Sequence, residues 1–400
     1  MTIPLIIYRS LRQHALSTLV TAASIALACG LLMTVWVVKV QSQKAFTETS
    51  TGFDGVLAAR GSKLQIVLNS IFHLEASTGN IAASDYEQIK RHPAVKTAVP
   101  IASGDNYQGW RIVGTVPELF TDVEFAHGKK YSLVSGKVFS PGAHEAVVGS
   151  FVATQLGLTV GSSFHPSHGL AHNPEDVHEE TYTVSGILAT TNTPADRVIW
   201  IPLEGVQHMS GHAASAQAEL SAVLVQLRAP SAGLMLDNYY NKQEGRLTFA
   251  YPVVAIVRDF FAKIDWFQRV LTLVAFVIVL IAAGSVLASI YASMSARQRD
   301  IAILRSLGAR RGTIFSAVVL EASVIGALGA LCGFVVYFVL MAAITELVRE
   351  QTGVVIPVAG WHAVLVWCPL GMIALGALGG LAPACKAYRV PVAQTLAPLS

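Results

Sequence analysis

Between two long apolar runs the chain reads Ala296-Arg297-Gln298-Arg299-Asp300-Ile301-Ala302-Ile303-Leu304-Arg305-Ser306-Leu307-Gly308-Ala309-Arg310-Arg311-Gly312. Five arginines, Arg297, Arg299, Arg305, Arg310 and Arg311, face a single acid, Asp300. A short loop so rich in arginine, joining two membrane spans, stays on the cytoplasmic side. Ile301, Leu304 and Leu307 recur at three-residue intervals, which places them on one face of a short helix. Gly308 then supplies the left-handed C-terminal cap, a conformation that glycine adopts without a Cβ clash. A short helix that is basic outside and apolar on one face is a docking element. A solvated loop that only obeys the positive-inside rule fits the same residues.

The composition on either side makes this a membrane chain. It is 53% hydrophobic and 13% charged, against about 25% charged in soluble domains. A bilayer is crossed by about 20 apolar residues, and four stretches suit: 16–40, 269–293, 313–348 and 361–385. The third is the longest, so it must tilt, kink or project. Arg9 and Arg12 precede the first span, and Lys386 and Arg389 follow the fourth. Residues 1–15, the loop 294–312 and the tail 386–400 are therefore expected in the cytoplasm, with 41–268 and 349–360 on the far side. The first span reads as an uncleaved anchor: its apolar core exceeds the roughly 7–15 residues of a signal peptide, and no small-x-small site follows.

Cysteine usage agrees with this layout. Cys29, Cys332, Cys368 and Cys385 all lie in or beside spans, so segment 41–268 has no disulfide of its own. The formal charge of +3 comes mostly from the cytoplasmic segments. No basic patch with interleaved aromatics is present, which argues against nucleic acid.

Segment 41–268 alternates strand and helix signals. Residues 55–59, 95–102, 110–115, 182–188, 198–201, 220–227 and 253–257 read as short strands, most of them rich in β-branched side chains. Ser84-Asp85-Tyr86-Glu87 reads as a capping box. Ser150, Pro202 and Ser231 mark three further helix starts. Glycine, histidine and acids accumulate between 117 and 211, suggesting an inserted subdomain. The expected fold is an α-helical membrane protein with four transmembrane helices and a large α/β extracytoplasmic domain between the first and second.

The stretch from Arg297 to Gly308, followed by Ile314 and Leu320-Glu321-Ala322, resembles the FtsX-like permease motif. There a basic-acidic-Ile-Ala-x-Leu-Arg-x-Leu-Gly-Ala segment leads into a span opening with Leu-Glu-Ala. The chain departs from it with Ala296 where an acid is common and Asp300 where glutamate is usual. Tyr8-Arg9-Ser10-Leu11-Arg12, Val113-Gly114-Thr115-Val116-Pro117, Ala146-Val147-Val148-Gly149 and Leu156-Gly157-Leu158-Thr159-Val160-Gly161 are similar to MacB-type permeases. The resemblance covers nearly the whole chain. It implies a transmembrane permease subunit of an ABC transporter in the MacB/LolC/LolE group, in the bacterial inner membrane, with a periplasmic core domain.

Such subunits dimerise, and ATP-driven motion passes through their membrane helices to the periplasmic domain. The resemblance therefore implies a second copy of the permease and an ATPase dimer docked on Arg297, Arg299, Asp300, Ile301, Leu304, Arg305, Leu307 and Gly308. No Gly-x-x-x-x-Gly-Lys-Ser/Thr phosphate loop occurs in this sequence. ATP is thus expected to be used by a separate polypeptide, and the chain is not expected to be an enzyme. A periplasmic adaptor or substrate protein is a further partner the group allows.

Gly329 and Gly333, and Gly376 and Gly380, form small-xxx-small pairs suited to close helix packing, either within the chain or at a dimer seam. Glu321, about two turns into the third span, is expected to be hydrogen-bonded rather than to carry protons. Ten of the twelve histidines fall in 41–268. His165, His168, His172 and His178, with the second group His208 and His212, offer imidazoles for Zn²⁺, which would be the only ion bound directly. A solvated polar loop is the alternative. His-Glu-x-x-His is absent. The functional expectation is export or extraction of a lipoprotein, peptide or small molecule, with a link to zinc handling left open. The alternative is an FtsX-like regulator that activates a periplasmic partner such as a cell-wall hydrolase, for which the domain is larger than expected.

Overall fold

Alternating apolar residues along six strands build the centre of the α/β domain. Val56 and Ala58, Val99 and Ile101, Ala222 and Leu224, Val113, Val147 and Trp200 enter one buried cluster. Their neighbours along the same strands point the other way. Leu57, Val223 and Val225 join a second cluster, and Ile112, Ala146, Val148, Ile199 and Ile201 a third. A period of two with apolar side chains on both faces defines a sheet covered on both sides.

In the computed structural model, the described residues are 3–48, 52–126, 128–169, 176–210, 219–296, 302–303, 305–306, 308–357 and 360–388. Helices α1 (Ile3–Gln13) and α2 (Ala15–Glu48) lead into β1 (Gly55–Ala59), α3 (Lys63–Ser70), β2 (Ile81–Ala82), α4 (Ala83–Lys90), β3 (Val95–Tyr107) and β4 (Trp110–Thr115). Next come α5 (Glu118–Thr121), β5 (Glu124–Ala126), β6 (Lys129–Lys130), β7 (Leu133–Gly136), β8 (Glu145–Val148), α6 (Ser150–Leu156), β9 (Ser163–Phe164) and β10 (Ser167–His168). The domain closes with β11 (Tyr182–Leu188), β12 (Ile199–Pro202), α7 (Leu203–Gln207), β13 (Glu219–Leu220), β14 (Ala222–Leu227), α8 (Pro230–Asn238) and β15 (Leu247–Ala250). Three long helices complete the chain: α9 (Val253–Ala296), α10 (Arg311–Thr352) and α11 (Val364–Tyr388).

The main sheet has 11 strands, with the path β15-β1-β14-β3-β4-β12-β8-β11-β7; β10 pairs β3, and β9 pairs β11. Its ladders are antiparallel except β4–β12 and β8–β11. The stretch 117–211 contributes β7, β8, β11 and β12 to this sheet and shares the first apolar cluster with the flanking strands. Beside that cluster, His73 meets Trp200 edge-on at 5.5 Å between ring centroids. Burial, then the charges of Arg111 and Arg197, push the His73 imidazole down to about 3.

Several local expectations change. Residues 253–257 are not a strand: they open α9, with the amides of Ala255 and Ile256 donating to the Pro252 carbonyl. Val253 and Val257 are both buried, four residues apart on one helical face, so an apolar run this short fits either period. Helix α4 starts earlier than the Ser84 box implies, because the Asp85 carboxylate accepts from the Ala82 amide at 3.0 Å. At α6 the cap is Gly149 rather than Ser150, and at α8 Ala229 precedes Pro230 in the first turn.

The chain divides into two compact units: 1–41, 265–345 and 357–400 form one, and 42–264 with 346–356 form the other. The end of α10 and the residues just after it, 346–356, thus pack with the α/β domain. Arg197 Nη1 donates to the Gln351 carbonyl, and the Arg349 guanidinium lies 5.2 Å from the Phe151 ring centre.

Four helices are long and apolar enough to cross a membrane, with candidate spans Ala15–Phe46, Val253–Ala292, Arg311–Thr352 and Val364–Lys386. Large apolar side chains on α9 and α11 stay exposed, among them Leu273, Leu280, Ile281, Trp367 and Leu378. Lipid supplies their environment.

Candidate functional site

Within the membrane unit, α10 is held between α2 and α11 by small residues. An added Cβ on Gly329 would stand 2.6 Å from Ile25 Cβ and 2.9 Å from the Ala22 carbonyl oxygen. On Gly333 it would meet Cys29 Cβ at 2.9 Å, and Gly30 of α2 is equally close to Val336 and the Gly333 carbonyl. On the α11 side, a Cβ on Gly376 would lie 2.8 Å from the Ala322 carbonyl oxygen, and one on Gly380 would lie 2.7 Å from Ala322 Cβ. Both glycine pairs therefore face helices of the same chain. Ser10 of α1 donates its hydroxyl to the Glu321 carboxylate, and Lys39 pairs with Asp265 at 2.7 Å.

Of the arginine loop, Arg305 and Gly308 are described. Arg297, Arg299, Asp300, Ile301, Leu304 and Leu307 lie outside the described residues. Ala302, Ile303, Arg305 and Ser306 are helical, and the Gly308 amide donates to the Arg305 carbonyl at 3.1 Å. Gly308 has φ +98°, the positive-φ backbone that favours glycine. Next to the loop, the Arg311 guanidinium lies 5.5 Å from the Tyr388 ring centre, tying the start of α10 to the end of α11.

In the α/β domain, one side-chain group brings together residues remote in sequence. A register shift between Ser103 and Asp105 in the β3–β4 ladder precedes Asp105, whose side chain is fully buried. Strand β10 pairs there, setting His168 opposite Asp105 and Ser167 opposite Asn106. Asn106 Nδ2 donates to the Ser167 and Gly169 carbonyls at 3.3 and 2.9 Å, and Asn106 Oδ1 accepts from the Gly109 amide at 2.9 Å. The returning chain is fixed too: the His168 amide donates to the Asp176 carbonyl, and the His178 amide to the Pro166 carbonyl.

The result is a compact group. Asp105 Oδ1 stands 3.2 Å from His178 Nε2 and 3.4 Å from His168 Nδ1. One ligand atom from each of the three residues lies within 4.8 Å of the others. His178 Nδ1 is 2.7 Å from the Ser210 carbonyl oxygen, and Ser210 gives its amide and hydroxyl to Glu180, each at 2.8 Å. Burial acts to raise the Glu180 carboxyl, but the hydrogen bonds from Ser210, with a backbone amide and the neighbouring His178, together hold the group below the usual carboxylate range.

Of the histidines singled out in the sequence, His168 and His178 meet. His165 and His208 do not join this group, and His208 Nδ1 instead contacts the Glu204 carbonyl in its own helix at 2.9 Å. His172 and His212 lie outside the described residues. Asp105 is the member that sequence reading missed.

Residues 272–392 match the FtsX-like permease C-terminal family, and residues 18–233 match the MacB-like periplasmic core domain family. The second match spans more than half of the chain. Four helices long and apolar enough to cross a membrane, with an α/β domain between the first and second, accompany these matches. The chain belongs to the MacB/FtsX-type ABC transporter permeases.

Two solved structures are similar to it. The extracellular domain of the noncanonic ABC-type transporter YknZ from Gram-positive bacteria has 15% identity and a TM-score of 0.31, covering 48% of this chain and 97% of that one. The periplasmic region of MacB from Actinobacillus actinomycetemcomitans has 11% identity and a TM-score of 0.35, covering 53% and 94%.

Proposed function

We propose that the chain is the membrane subunit of an ABC transporter whose ATPase is a separate polypeptide, docked from the cytoplasm on residues 297–308. The observation that carries this reading is the pairing of an FtsX-like permease segment with a MacB-like core domain in one chain. Two copies of the permease and two of the ATPase form the working unit, with both permease termini in the cytoplasm and the α/β domain in the periplasm.

Arginine flanks support this orientation. Helices α2, α9 and α10 support mechanical coupling, because each continues unbroken past the apolar stretch read in the sequence (16–40, 269–293 and 313–348), to Glu48, from Val253 and to Thr352 respectively. ATP closure at the docking loop moves these helices, and they displace the α/β domain, which then moves a lipoprotein, peptide or hydrophobic small molecule at the outer face of the inner membrane. Few polar groups line the spans, so work outside the bilayer fits better than ion passage through it.

The test is to purify the full chain from its native membrane and measure ATP hydrolysis. A co-purifying ABC ATPase should account for all the activity, and the chain stripped of it should have none. Hydrolysis by the stripped chain, or purification without any ATPase from a membrane that contains one, contradicts the reading.

A further inference from the structure

The group at Asp105, His168 and His178 has a charge and proton inventory that points to a cation. A carbonyl oxygen only accepts, so the 2.7 Å contact with Ser210 places a proton on His178 Nδ1. Nε2 of the same ring then faces a carboxylate oxygen at 3.2 Å, and His168 Nδ1 approaches that oxygen at 3.4 Å. A bare imidazole nitrogen and a carboxylate oxygen both present lone pairs. Either a proton, carried by the ring or by the carboxyl, or a metal ion lies between them.

The distances admit both, and the convergence of two imidazoles on one buried carboxylate oxygen favours the ion. Zinc bonds to nitrogen and oxygen of about 2.0–2.1 Å, set at a tetrahedral angle, put ligand atoms roughly 3.3 Å apart. The separations of 3.2 and 3.4 Å from Asp105 Oδ1 lie near that value, and the three ligand atoms fall within 4.8 Å of one another, so a small movement of the exposed His168 ring closes the set on an ion. The surroundings match as well. A metal-bound imidazole gives its other N–H to a carbonyl or carboxylate, which fixes the ring. His178 does this to Ser210, which Glu180 holds in turn.

We propose that Asp105, His168 and His178 form a Zn²⁺ site in the α/β domain, with two imidazoles and one carboxylate as ligands. Asp105 and His178 form its buried floor. The His168 side chain is 58% exposed, and among the described residues no fourth His, Cys, Asp or Glu joins the set, which leaves one position of the tetrahedron for a further donor. Nitrogen and oxygen donors favour Zn²⁺ or Cu²⁺ over Ca²⁺ or Mg²⁺. Neither the permease role nor ATPase docking requires such a site. Bound there, the ion fastens β10 to β3.

The experiment uses the tag-free full-length protein in nanodiscs, stripped with a chelator and titrated with Zn²⁺ against a chromophoric competitor. One tight site per chain is expected, with X-ray absorption showing only nitrogen and oxygen neighbours, imidazoles among them. His168→Ala and Asp105→Asn should each weaken binding by more than about 100-fold, since loss of an outer partner alone costs about 10–100-fold. His165→Ala and His208→Ala should leave it unchanged. His168 is exposed, so His168→Ala should melt like the metal-free wild type, which separates a lost ligand from a lost fold. The proposal is overturned if the wild type takes up no stoichiometric Zn²⁺. It is also overturned if binding survives both ligand variants, or is lost in His165→Ala or His208→Ala instead.

Discussion

Gly329→Val is expected to destabilise the membrane unit severely. The first added carbon would lie 2.6 Å from Ile25 Cβ and 2.9 Å from the Ala22 carbonyl oxygen, and a backbone oxygen cannot rotate away as a side-chain tip can. Overpacking of a tight interior costs about 1–3 kcal/mol and more where backbone must move. In a membrane that loss is not offset by hydrophobic gain, because helix association there depends on close packing. The expected result is a large drop in detergent melting temperature and in yield of folded protein. Gly284→Ala is the matched control: a Cβ at Gly284 meets nothing within 4 Å, so its melting should stay near wild type. Equal melting of Gly329→Val and wild type would remove the α2–α10 contact from the account. Gly333→Ala, with its nearest clash at 2.9 Å, should fall between the two.

Leu304→Glu should uncouple the transporter while leaving the permease folded. Leu304 is the middle of the three apolar residues, Ile301, Leu304 and Leu307, that the docking reading seats in a groove of the ATPase. Apolar anchors inside a polar surround carry most of the energy of such contacts, and truncating a hot spot costs about 2–4 kcal/mol. A carboxylate there adds the desolvation of a buried charge. At about 1.4 kcal/mol per tenfold, affinity should fall at least roughly 30-fold. ATPase co-purification and substrate movement should disappear together, with unchanged melting of the permease itself. Wild-type co-purification with intact transport would assign the loop to simple retention of positive charge.

Much of the architecture was legible because the signals were local. Four apolar runs and the arginines between them defined the spans. Trp110–Thr115 and Tyr182–Leu188 showed as strands because β-branched residues cluster there, and Gly55–Ala59 as a short apolar run, and the structure has these same bounds. Residues 253–257 misled because five apolar residues do not distinguish a strand from the first turns of a long helix. The glycine pairs were visible as small faces, but nothing in their spacing could say that Ile25, Ala22 and Ala322 would fill them.

The histidine group shows the same limit. His168 and His178 were singled out by density, whereas Asp105 lies 73 residues before His178 and looks like any strand acid. It reaches them through the β3–β10 ladder, a tertiary pairing that no local pattern announces. The union of 346–356 with the α/β domain was hidden for the same reason, since its contacts to Arg197 and Phe151 are long-range.

The most direct test is photo-cross-linking in living cells, with a benzophenone amino acid at exposed Ser306 in the arginine loop. The account predicts an ultraviolet-dependent adduct with an ABC ATPase, lost when Leu304→Glu is added. An adduct with a periplasmic protein, or no ATPase adduct in cells where the permease is functional, would contradict both the docking assignment and the topology built on it.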